Sequence, residues 1–115
     1  MALPRALRLR KPSDFKSAFT YGRMVKGKLL NLYFKPNSLS TNRVGCSIPN
    51  SRVKNLVQRN RLQRLIKEAY IKNSNIISGY DLIWTLRQGL SVSLSFKEVE
   101  WEVKLLIEGT KNKGG

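Results

Sequence analysis

The chain contains no histidine, only one cysteine (Cys46), and 7 acidic residues among 115. Without histidine there can be no imidazole acid/base step, no His-based triad and no zinc–histidine site. A lone cysteine excludes an internal disulfide and any thiolate cluster, and it fits a reducing compartment; cytoplasmic residence is the expectation. No apolar run approaches the roughly 18 residues needed to span a bilayer, and no lipidation signal is present, so no membrane partner is expected. The Gly residues do not form a phosphate-binding loop: Gly45, Gly79, Gly89 and Gly109 stand alone. No nucleophile–base pair or paired carboxylates occur either. Asp14, Glu68 and Asp81 lie on separate segments and make a poor two-metal site, leaving at most a weak Mg²⁺ contact through an RNA phosphate.

Basic residues, by contrast, are abundant: 22 Lys and Arg give a net charge of +15. Residues 1–72 hold 17 basic and 2 acidic side chains, whereas residues 73–115 hold 5 of each. The whole excess is therefore directed from the first two-thirds, a field suited to nucleic acid. With 41% hydrophobic residues the chain can bury the core of one domain. Residues 1–12 read as a basic arm, because two prolines and the lack of a Ser-rich spacer argue against a transit peptide. A domain over 13–109 and a flexible tail over 110–115 complete the expected organisation.

Ser13 is the expected cap of a first helix that ends at Gly22, with Phe15, Ala18 and Phe19 on one face. Strands are expected over 23–28, 29–34 and 43–48. A long helix then runs from about Asn55 to Lys72, capped by Asn55 or Ser51. Its apolar arc is Leu62, Leu65, Ile66 and Ala69, and Asn60, Arg64 and Lys67 lie opposite. A fourth strand spans 80–87. Ser95 and Glu98 have the spacing of a capping box for a last helix, expected to stop at Gly109 with Phe96, Val99, Val103 and Leu106 as its seam. The resulting α-β-β-β-α-β-α order describes a single α+β domain with helices on a sheet.

Arg59, Arg61 and Arg64 around Asn60 are the most informative local feature. Guanidinium groups fork onto phosphates, and Glu68 is the only carboxylate in reach to neutralise them. Phe15, Phe19 and Tyr33 could stack unpaired bases, although composition alone favours the core for the two Phe. Trp84 and Trp101 are both expected in the core, and Cys46 as a packed, unactivated thiol.

Arg59-Asn60-Arg61-Leu62-Gln63-Arg64-Leu65-Ile66-Lys67-Glu68-Ala69-Tyr70 closely resembles the signature helix of the bacterial ribonuclease P protein subunits. Asp14-Phe15 with Ala18-Phe19 and Gly22, Arg43-Val44-Gly45, and Tyr80-Asp81-Leu82-Ile83 resemble three further segments of that family in order and spacing. The resemblance implies a mixed sheet with a left-handed βαβ crossover. It also implies a subunit that does not itself cleave: the protein binds the catalytic RNA and the 5′ leader of precursor tRNA and supports the RNA's metal sites. The RNA performs endonucleolytic 5′ maturation with Mg²⁺ held mainly by the RNA and none bound tightly by the protein. Carried over by position, Phe15, Phe19, Tyr33, Arg52 and Arg87 would contact the leader. Arg59, Asn60, Arg61, Arg64 and Lys67 would face the catalytic RNA and the leader. Asn50/Ser51, Gln63 and Gln88 replace residues that are usually basic, so weaker or more salt-sensitive RNA binding is expected. Two other classes share parts of this profile: a structural RNA-binding protein of ribosomal type, and a protein-only nuclease, which the missing histidines disfavour.

Overall fold

The structure is a computed structural model that describes residues 5–48, 55–87 and 95–114, the side chains of Arg5, Lys113 and Gly114 excepted. After a 3-10 turn at Arg5–Leu7 come α1 (Pro12–Tyr21), β1 (Arg23–Lys26), β2 (Leu30–Pro36) and β3 (Arg43–Ser47). Then follow α2 (Leu56–Lys72), β4 (Tyr80–Leu86) and α3 (Phe96–Gly114). The strands form one sheet in the order β1-β2-β4-β3. β2 is antiparallel to both β1 and β4, and β3 is parallel to β4. A parallel pair needs a crossover, and α2 supplies it. The expected element order and mixed sheet are thus found.

Side chains alternate across each strand, which gives the sheet two unlike faces. Leu30, Leu32 and Phe34 of β2, Leu82, Trp84 and Leu86 of β4, and Val44 of β3 are buried in one cluster with α2 and α3. Leu62, Leu65, Ile66 and Ala69 of α2 and Val99, Val103 and Leu106 of α3 close it, as their spacing predicts. Each such side chain contributes about 1.5–3 kcal/mol on burial. This face therefore dominates stability.

Both long helices begin where the sequence indicates. Asn55 Oδ1 accepts from the Gln58 N–H at 3.1 Å. Ser95 and Glu98 complete a reciprocal capping box at 3.0 and 3.2 Å. Three expectations are corrected. Ser13 is not the cap of α1: Lys11 occupies that position without a side-chain bond, and Pro12, whose φ is already helical, opens the first turn. Gly109 does not stop α3, which continues to Gly114. A Cβ at Gly109 would lie 3.0 Å from Val25 Cγ1, so this glycine lets the helix approach β1, and Thr110 beyond it is fully buried. Trp101 is not core: it is 66% exposed, on the side of α3 away from the Val99–Val103 seam, whereas Trp84 is buried as expected. The described part of the basic arm lies against the sheet, where Leu9 N–H donates to Val44 O at 2.9 Å and Leu9 is buried.

Candidate nucleic-acid interface

α1 lies on the second face of the sheet, where it covers β2 and β4 only in part. Ala18 of α1 and Ile83 of β4 are fully buried where the helix meets the sheet, with Leu9, Phe15 and Tyr33 around them. Phe15 is half-buried, with its ring over Gly45: a Cβ there would come within 2.6 Å of Phe15 Cζ. Phe19 is 38% exposed and meets the half-buried Tyr33 edge-on, with ring centroids 4.7 Å apart and planes at 78°. The two Phe are therefore not equivalent. Phe15 anchors the helix, and Phe19 with Tyr33 presents aromatic surface to solvent.

One ionic cluster fixes α1 in this position. Asp81 is buried and accepts two bonds from Arg43, Nε to Oδ1 at 2.9 Å and Nη2 to Oδ2 at 2.8 Å. Asn37 Nδ2 adds a third at 3.1 Å. Arg43 also reaches Asp14 of α1 at 3.6 Å. These carboxylates, foremost Asp81, hold the Arg43 guanidinium above its usual pKa range, so it stays charged. Asp14, Arg43, Gly45 and Asp81 come from three separate motifs of the sequence, and space joins them into the support for the aromatic pair. Sequence reading missed this role, although the charges of Asp14, Arg43 and Asp81 were visible in it.

β3 borders both faces. Gly45 lies under Phe15, while the next residue, Cys46, packs toward the core and feels the charge of Lys67 from α2. Burial pushes the Cys46 thiol up to about 12, against the lowering effect of Lys67, so it is a packed, inactive thiol, as expected. On α2, Asn60, Arg61 and Arg64 are exposed, and Arg59 and Lys67 are half-buried. The helix thus carries its basic residues as an outward band, and Lys67 sets one end of it near Cys46 of β3.

Arg87 follows β4 directly; its Nη1 donates to Gly27 O at 3.2 Å, and its N–H to Leu29 O at 3.0 Å. Alternation along β4 sets it on the face that carries Tyr33. Arg52, Asn50, Ser51 and Gln88 lie outside the described residues. Asn31, Lys35 and Thr85 also line this face, and the spacing of two from Tyr33 could have revealed the first two.

Among the described residues no group of three or more His, Cys, Asp or Glu side chains could hold a metal ion. Asp14 and Asp81 are already committed to Arg43. No described helix is long and apolar enough to cross a membrane.

Known proteins agree with this architecture. The family model described as Ribonuclease P matches residues 3–111. The ribonuclease P protein component of Clostridioides difficile (strain 630) is 35% identical over 112 residues, covering 96% of each chain. That of Natranaerobius thermophilus is 42% identical over 80 residues, covering 69% of each. Among solved structures, the Staphylococcus aureus RNase P protein superposes with a TM-score of 0.82 at 23% identity, covering 93% of this chain and 97% of that one, a likeness of fold. The Thermotoga maritima RNase P protein, solved with 1-(4-fluorophenyl)-2-thiourea, gives 0.79 at 27% identity, covering 87% and 97%. A half-covered aromatic sheet face beside an arginine-rich crossover helix, in a chain matched almost end to end, belongs to the ribonuclease P protein component family, the protein part of a tRNA-processing endoribonuclease.

Proposed function

We propose that the two basic and aromatic surfaces divide the labour of binding between two RNAs. The band of Arg59, Asn60, Arg61, Arg64 and Lys67 on α2 binds the catalytic RNA, and the face of Phe19, Tyr33 and Arg87 takes the single-stranded 5′ leader of precursor tRNA. The observation that carries this reading is the edge-on pair of exposed Phe19 and half-buried Tyr33 on a sheet face left half open by α1. Aromatic faces stack unpaired bases at about 1–3 kcal/mol each with little regard to sequence, which suits leaders of differing composition. Guanidinium groups on α2 neutralise phosphates, and neutralising about 6–10 of them makes affinity fall about 10³–10⁵-fold between 50 and 200 mM salt.

Cleavage belongs to the catalytic RNA and the Mg²⁺ it holds. The protein contributes binding energy and orientation: Phe15 and the Arg43–Asp81 pair keep α1 in place, so the stacking pair is formed before RNA arrives. Pre-organisation of this kind lowers the ordering cost of binding. Phe19→Ala is expected to weaken binding of precursor tRNA and spare mature tRNA, which has no leader; equal losses for both overturn the leader assignment. Arg61→Ala is expected to raise the protein concentration needed for reconstitution with the catalytic RNA. Cleavage of precursor tRNA by the protein and Mg²⁺ alone would revive a protein nuclease, and co-purification with ribosomes would favour a ribosomal role.

A further inference from the structure

The groove between α3 and the β1–β2 hairpin is not used by this reading. It measures about 520 Å³ and is lined by Val25, Leu29, Leu105 and Leu106, with Trp101 on its rim. Trp101 and Leu105, 66% and 46% exposed, form an apolar ridge. On the other side of Trp101 a second depression is lined by Lys72, Lys97 and Lys104. At 100° per residue, Lys97 and Lys104 lie within about 60° of Trp101 on the helix surface. Lys26 and Lys28 line the groove from the hairpin, and Glu98 and Glu102 line it from α3, so the unbalanced positive charge beside Trp101 is that of Lys97 and Lys104.

The acids nearby are largely engaged. Glu102 accepts the Leu29 and Leu30 N–H groups, Glu98 caps its own helix at Ser95, and Glu100 pairs with Lys72 at 3.7 Å. An indole flanked by lysines, beside a cleft wide enough for a base, calls for an anionic partner with a flat apolar face. Two chains each carrying +15 repel, which disfavours a second copy as the occupant.

We infer that Trp101 is a second stacking station for single-stranded RNA, with one unpaired base in the α3–hairpin groove and lysines on both sides holding its phosphates. This deepens the leader reading and rests on it for the identity of the strand. The hairpin joins the two faces: Arg87 on the leader side bonds Gly27, and Gly27 lines the groove. On this reading a longer leader runs past Arg87 and around the hairpin to Trp101.

The test uses the intrinsic fluorescence of the whole protein, because Trp84 is sealed and Trp101 is not. Pentauridylate is expected to quench the exposed tryptophan, and an abasic oligomer of equal length is not. Trp101→Ala is expected to abolish the quench and to weaken pentauridylate binding about 5- to 100-fold, with the Trp84 emission unchanged as a check of folding. Oligomer binding that leaves tryptophan emission and the Trp101→Ala affinity unaltered overturns the inference. So does a protein dimer that Trp101→Ala dissolves without any quench by RNA. Phe19→Ala separates the two claims: a quench that survives it, with precursor preference intact, sinks the leader cleft alone. Precursor preference lost in Phe19→Ala, with no effect of Trp101→Ala, sinks the second station alone.

Discussion

Consecutive residues of β2 face two different environments. Leu30, Leu32 and Phe34 are sealed against α2 and α3, while Asn31, Tyr33 and Lys35 point to a face that α1 covers only partly. One strand thus serves two ends, with a period-2 pattern separating them. The difference shows that stability comes from the sealed face and leaves the other free for ligand chemistry. That freedom is bounded, because α1 must still be held, and Arg43, Asp81 and Gly45 do so.

The sharpest way to break this comparison is to injure the sealed face. Leu32→Ala is expected to cost about 2–5 kcal/mol in urea unfolding, through lost burial and a residual cavity. RNA binding should then fall only as far as the unfolded fraction rises. Asp81→Asn acts on the half-open face, at the support of α1: it removes the charged partner of Arg43 and is expected to cost about 2 kcal/mol by the same measurement. Gly45→Ala places a methyl against Phe15 and is expected to cost about 1–3 kcal/mol. It should also weaken precursor binding beyond its effect on stability, since α1 must shift.

Cys46 gives the smallest effect at neutral pH. Its thiol stays protonated in the folded chain to about pH 12, whereas an unfolded thiol ionises near 8.5. The folded state therefore binds more protons between these values, so stability falls as pH rises through that window and is unaffected below it. Thiol reagents at pH 8 should modify folded protein far more slowly than urea-unfolded protein; equal rates would show that Cys46 is not packed.

Much of the fold was legible because local signals agreed with global packing. Asn55 and the Ser95/Glu98 box mark helix starts, and the α2 arc Leu62–Leu65–Ile66–Ala69 faces the core as its spacing requires. What was not legible depends on distant partners. Gly109 has the propensity of a helix stop, yet Val25 needs the space beside it, and packing overrides the roughly 1 kcal/mol cost of glycine in a helix. Asn42 lies in a polar loop sequence but is buried, bonding Tyr70 Oη, Ile77 O and Tyr80 N–H. Trp101 was expected in the core because it lies outside the basic part of the chain, but its helical position lies opposite the seam. The candidate site was legible in part. The basic face of α2 followed from periodicity and missing counter-charges, whereas the split between Phe15 as anchor and Phe19 as exposed partner required the position of Gly45 on a neighbouring strand.

The central claim is that the half-open face recognises the leader. The most direct measurement is the ratio of precursor to mature tRNA affinity in the reconstituted particle, for the native chain and for the Phe19→Ala/Tyr33→Ala double variant. The account expects a ratio well above one that collapses toward one in the double variant, with mature tRNA affinity unchanged. A ratio that the double variant leaves intact would contradict it.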